Sequence, residues 1–365
     1  MPDPILRPEA VFDGHRLVRG VALRLSDPPQ IVPDPPADAR PVAGIVSPGL
    51  IDLQVNGGGG VLFNADPSPE GIAAILAAHR RFGTTRLLPT LITDAPEVAE
   101  AAAAAIRAAW GTPGLLGLHL EGPHIAPARR GTHAARHIRP LDDRTLTLAE
   151  SLRADGIPLL LTLAPEAATP TQIGRLTAAG VVVSLGHSDA TAAETGAALA
   201  AGAGNFTHLF NAMSQMQGRE PGMVGAAIVS DAEIGLICDG HHVSDAMLTL
   251  ALRAHGVGRC HIVSDAMPTV GGPDHFTLYG QTIRVENGRL INAEGRLAGA
   301  HTTMAEGVAR LVTALGQPLE AALRMAITNP ARVIGADPSL ESQPAADLLL
   351  WDAALKPRFL TEAMG

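Results

Sequence analysis

Lysine is almost missing from this chain. Of its 27 basic residues only one, Lys356, is a lysine, and it stands close to the C-terminus. This excludes a Schiff-base lysine, a phosphate-binding GK[ST] loop and a mid-chain lysine carbamylated to bridge two metals. Cysteine is nearly as scarce. Cys238 and Cys260 are far apart and form no CxxC, which argues against a zinc ribbon, a redox motif or a disulfide framework. Positive charge is in deficit too, and a net charge of −9 leaves no basic stripe for a nucleic acid. No apolar run approaches the roughly 18 residues of a spanning helix, so no membrane partner is expected. The first residues, MPDPILRPEA, lack the charged-then-apolar layout of a signal peptide. These absences leave a cytoplasmic enzyme as the expectation, with chemistry that runs on His, Asp, Glu and a metal.

What is present is apolar and repetitive. Hydrophobic residues make up 46% of the chain and charged residues 17%, enough for a large core. Short Val/Leu/Ile runs recur eight times, beginning near Leu50, Arg86, Leu115, Pro158, Val181, Asn205, Ile234 and Cys260. Near-continuous runs of this kind mark parallel strands buried on both faces. Ala/Leu-rich helical segments lie between most of them, several ending in Gly. The pattern predicts an α/β fold, a TIM (β/α)8 barrel, over residues 47–335. Residues 1–46 and 336–365 read as short strands that build a small β-sandwich-like domain from both chain termini. A β-hairpin around Asn287-Gly288 is expected as an insertion at about 275–296.

Active sites of such barrels lie at the C-terminal ends of the strands. Those positions hold Gln54 and Asn56, Glu121, His187, His208, Asp239 with His241 and His242, and Asp265. Glu121, His187 and His208 make a His₂Glu set of the kind that binds a catalytic metal and leaves a position for water. Asp265, in IVSDAM, is placed to accept and return a proton; an N-cap or ion-pair role is the alternative. His119 shares the strand face of Glu121 and points inward without joining the ligand set.

PGLIDLQVNGGGG, LHLEGPHI, GTH, LAPE, GHSDAT, THLFNAM, GREPG, DGHHV, SDAMPTVGG and TNPARVIG follow one another from Pro48 to Gly335. In this order they resemble the N-acetylglucosamine-6-phosphate deacetylases of the amidohydrolase superfamily. The resemblance implies one divalent metal ion per subunit, zinc first and iron, manganese or cobalt next, on Glu121, His187 and His208. It implies Asp265 as general base and then acid, and His133 as the residue that polarises the acetamide carbonyl. Substrate contacts would come from Thr132, Asn211, Ala212, His242 and the backbone of Leu297, Ala298 and Gly299. Arg219 of REPG would bind the sugar phosphate across the interface of a homodimer.

Three departures bear on this reading. Gln54 and Asn56 stand where many amidohydrolases carry His-x-His; as remnants of a second metal site they imply a single metal. His301, in LAGAHTTM, is foreign to the pattern and could alter substrate contacts or bind metal. The C-terminal portion is short for the small domain. The expected reaction is release of acetate from N-acetylglucosamine 6-phosphate. Alternatives are the same reaction on N-acetylgalactosamine 6-phosphate, hydrolysis of another amide, and a catalytically silent sugar-phosphate-binding barrel.

Overall fold

The computed structural model describes residues 3–292, 295 and 297–364. The far end of the expected insertion near 296, and positions 1, 2 and 365 of the terminal segments, lie outside the described residues. Eight parallel strands follow one another around a single sheet: Leu50–Val55, Thr84–Ile92, Leu118–Glu121, Leu159–Leu163, Val182–Leu185, Asn205–Phe206, Glu233–Ile237 and Cys260–Val263. Each strand pairs with the next in sequence. The sheet closes where Val55 pairs with Ala266, whose carbonyl accepts from the Asn56 amide at 2.9 Å. Five of the eight are buried at every position, which is why they read as unbroken apolar runs.

The helices between the strands are locally encoded. Pro69–Arg80 starts on Ser68, whose side chain accepts from the Gly71 amide, with proline in the first turn. Pro170–Ala178, Ala192–Ala200 and Met304–Thr313 each open with a capping box, Thr169/Gln172, Thr191/Glu194 and Thr303/Glu306. These caps fix where each strand-to-helix loop ends, and so where the loop can carry chemistry.

Both chain ends meet in one mixed sheet ordered Pro357–Phe359, Leu349–Trp351, Arg40–Ser47, Ile5–Phe12, Ala22–Arg24, Gln30–Val32, with Leu17–Val18 paired to Ile5–Phe12. Alternation splits its side chains between two cores. Val11 and Leu350 join the sheet's own cluster, whereas Phe12 and Trp351 pack into the barrel's. The short C-terminal strands are held partly by Trp351, whose Nε1 donates to the buried Ser47 hydroxyl at 2.8 Å. After the eighth strand the structure has three antiparallel strands, His275–Leu278, Gln281–Glu286 and Arg289–Ile291, where sequence patterning suggested one hairpin. The Asn287-Gly288 turn is there, with φ of 51° and 76°. The first turn uses Tyr279-Gly280, also left-handed, and tyrosine gives no turn signal.

Candidate active site

The strand ends converge. His208 Nε2 lies 2.9 Å from Glu121 Oε1 and 3.1 Å from His187 Nε2, and His187 Nε2 is 3.3 Å from the same carboxylate oxygen. All three side chains are buried. His187 donates through Nδ1 to the Arg129 carbonyl at 2.9 Å, which leaves its Nε2 lone pair facing the cluster. Two imidazole nitrogens and a carboxylate oxygen within 3.3 Å of one another fit a cation better than they fit each other. Protein hydrogen bonds cannot satisfy a nitrogen that faces a nitrogen unless one of them carries a proton.

Burial alone would raise the Glu121 carboxyl. Hydrogen bonds and charge from His187 and His208 outweigh it and hold the group well below the usual carboxylate range. Burial would lower His208, but the Glu121 contact turns the shift upward. Asp265 is pushed up to about 6, by burial first and then by the neighbouring Glu121 charge. It accepts from Asn56 Nδ2 at 2.7 Å and from Gln54 Nε2 at 3.2 Å, and Gln54 also reaches Glu121 Oε1 at 2.9 Å. Gln54 therefore bridges the general-base candidate to the cluster, and Asn56 also holds it. No N-cap or ion-pair role for Asp265 accompanies this arrangement among the described residues.

The backbone is unusual where it delivers these groups. His187, His208 and Asp265 all have positive φ, 48°, 29° and 52°, as does Ala212 at 50°. Non-glycine residues adopt this region at a cost, and such strain clusters at functional sites. Gly299 shares the conformation for a steric reason: a Cβ there would sit 2.6 Å from Met267.

Two connected cavities open above the cluster. The inner one, about 180 Å³, is lined by Glu121, His187, His208, Asp265, Thr132, His133, Asn211, Ala212, His242, Leu297 and Gly299 among others. The outer one, about 590 Å³, shares Thr132, His133, Ala212 and Leu297 and adds the Pro127–Arg136 segment and Tyr279. His133 reaches to 3.8 Å from Glu121 Oε2. Burial, then the nearby His187, lowers it to about 3. His242 is held by Asp239 at 2.6 Å. Burial works against the Asp239 charge, yet the His242 contacts outweigh it and bring the carboxyl to about 2.

Some candidates fall outside these cavities. His241 is exposed, Ala298 is buried against the three-stranded insertion, and His301 bonds to Thr269 at 2.9 Å without lining either cavity. Arg219 is exposed and has no ion pair among the described residues; Glu220 instead accepts from the Ala192 and Gly222 amides. Sequence reasoning missed Thr93, Tyr279 and the Arg129 carbonyl. Thr93 follows directly on the second strand, so the strand-end rule applied one strand earlier would have found it. A backbone carbonyl carries no signal.

A model of the amidohydrolase family matches residues 45–364. The chain belongs to the amidohydrolase family. This amidohydrolase is accordingly a hydrolase that acts on an amide bond. It is 44% identical, over 81% of its length and 75% of the relative's, to the N-acetylgalactosamine-6-phosphate deacetylase of Shewanella sp. (strain ANA-3). It is 37% identical to the N-acetylglucosamine-6-phosphate deacetylase of Haemophilus influenzae, over 80% of this chain and 78% of that one. The crystal structure of N-acetylglucosamine-6-phosphate deacetylase from Pasteurella multocida superposes with a TM-score of 0.90 at 34% identity, covering 97% of this chain and 96% of that one.

Proposed function

We propose that this amidohydrolase deacetylates N-acetylglucosamine 6-phosphate to glucosamine 6-phosphate and acetate in the cytoplasm. The observation that carries this reading is the buried Glu121–His187–His208 cluster bridged by Gln54 to Asp265 at the floor of one cavity. Glu121, His187 and His208 would hold one divalent ion, which we read as zinc; iron, manganese and cobalt suit the same donors. When bound, such an ion supplies Lewis acidity that brings the pKa of a water to roughly 7. Asp265 takes the proton from the attacking water and returns it to the departing amine. His133 donates to the acetamide oxygen as charge builds on it. Asn211, the Ala212 backbone, Thr132 and His242 line the cavity and orient the sugar, with the Leu297–Gly299 backbone closing one side.

The phosphate falls to Arg219 from the neighbouring subunit of a homodimer. Its exposure and its freedom from ion pairs among the described residues support this, because its guanidinium fork is open to a group outside its own chain. Arg219→Ala should raise KM for a phosphorylated sugar about 10- to 100-fold. It should leave the rate on the unphosphorylated sugar unchanged.

A second reading keeps the chemistry and changes the epimer. The 44% identity to an N-acetylgalactosamine-6-phosphate deacetylase favours it. Acetate release by metal-replete protein from N-acetylglucosamine 6-phosphate, N-acetylgalactosamine 6-phosphate and unphosphorylated N-acetylglucosamine tests both. Preference for the first supports the main reading, and preference for the second transfers it to the other sugar. Equal rates with and without phosphate remove Arg219 from the site. No release from any of them refutes the deacetylase reading.

A further inference from the structure

His133 can polarise a carbonyl only if the nitrogen that faces the cavity carries the hydrogen. Its other nitrogen, Nδ1, is met twice by Thr93: by the hydroxyl at 2.7 Å and by the backbone amide at 3.4 Å. The hydroxyl could donate or accept, since the Glu121 carbonyl lies 3.4 Å away as an alternative acceptor. The amide has no such choice. A backbone N–H is only a donor, and this one points at Nδ1. A hydrogen on Nδ1 would set two donors against each other in a buried site, which the fold avoids.

We infer that Thr93 sets the tautomer of His133, leaving Nδ1 bare and placing the hydrogen on Nε2, and that Tyr279 holds Thr93 in place. This rests on the deacetylase reading, in which His133 faces the acetamide oxygen. Tyr279 is the only tyrosine in the chain. Its hydroxyl donates to the Thr93 carbonyl at 2.5 Å and accepts in turn from the backbone amide of Ala134, next to His133. One side chain from the insertion therefore clamps the end of the second strand and the loop that carries His133. Room for the Thr93 hydroxyl comes from Gly122, where a Cβ would lie 2.4 Å from Thr93 Oγ1. Thr93 is thus a positioning residue, whose effect reaches the substrate only through His133.

The test uses the full-length protein, labelled with ¹⁵N-histidine and loaded with zinc. Long-range ¹H–¹⁵N spectra report which nitrogen of each imidazole is protonated, and His133 is assigned by the signal lost in His133→Asn. The expected result is protonated Nε2 and bare Nδ1 in the wild type, shifting toward a mixture in Thr93→Val and restored in Thr93→Ser. With N-acetylglucosamine 6-phosphate as probe, Thr93→Val should lose about 10- to 100-fold in kcat with KM within about twofold. Thr93→Ser should recover most of it, and Tyr279→Phe should fall between. A wild-type His133 protonated on Nδ1 overturns the inference whatever the activity. So does a Thr93→Val protein with unchanged spectra and kcat. If the wild type does not turn over the probe, the deacetylase reading fails alone, because the two spectra still decide the tautomer and its dependence on Thr93.

Discussion

Two layers of polar side chains lie one above the other inside the same barrel, equally buried and differently built. The lower layer is a closed relay. Asn205 donates to Ser184 at 2.8 Å, Ser184 to Thr207 at 2.6 Å, Thr207 to Thr162 at 2.7 Å, and Thr162 to His119 Nε2 at 2.8 Å. His119 then donates from Nδ1 to the Leu53 carbonyl at 3.0 Å. Each member donates once along the chain to a neutral acceptor, so the relay runs without charge, with only the Asn205 Oδ1 lacking a partner among the described residues. None of these residues has a positive φ. The upper layer of Glu121, His187, His208 and Asp265 sets nitrogen against nitrogen and carboxylate near carboxylate, on left-handed backbone at three of the four. Burial is therefore not what marks a functional histidine here. His119 and His208 are both buried, yet the first is lowered to about 4, by burial above all, and the second is raised by its carboxylate partner.

The sharpest way to break this contrast is to remove the charge that distinguishes the upper layer. Glu121→Gln should strip the metal, read by elemental analysis of purified protein, and lower turnover ~10⁴-fold, the several kcal/mol a Lewis acid supplies. Full metal content in that variant would mean the cluster is structural. Asp265→Asn should separate the two roles within the layer, keeping the metal while kcat falls ~10³-fold. Activity close to wild type would remove Asp265 as the base.

The lower layer should announce itself through stability instead. His261, buried near His119, is brought down to about 3 by burial and then by Arg332. A neutral buried histidine contributes its full stability above the unfolded value near 6.5 and loses it as pH falls toward the folded value. From pH 6.5 to pH 5 the loss is about 2 kcal/mol for one such residue. Asp52, clasped by Ser264, works in the opposite direction. Burial raises it to about 7, so its cost grows as pH rises between about 4 and 7. Urea midpoints at pH 6.5 and pH 5 should therefore drop less in His261→Gln than in the wild type, and an equal drop would contradict the assignment. The smallest effect is expected from Thr162→Val, which breaks the relay: about 1 to 2 kcal/mol of stability, with kcat within about twofold. A large kcat loss there would join the two layers into one functional unit.

Much of the barrel was legible in the sequence, because unbroken apolar runs, glycine helix stops and Thr/Ser caps are local signals. The strand-end positions were legible for the same reason, and they include Glu121, His187, His208 and Asp265. The insertion was half legible, since Asn287-Gly288 advertises a turn and Tyr279-Gly280 does not. Thr93 was passed over because the second strand runs one residue beyond the apolar stretch read for it, to Ile92.

By itself, then, the sequence determined the alternation of strands and helices and the residue types that crown them, since both follow from neighbours along the chain. Tertiary structure alone decided which buried histidine meets a carboxylate and which meets a hydroxyl. It also brought the Thr93 amide against His133 and the insertion's tyrosine against Thr93. Those outcomes depend on atoms 40 to 186 residues apart in the chain, held within hydrogen-bond reach only once the barrel has closed.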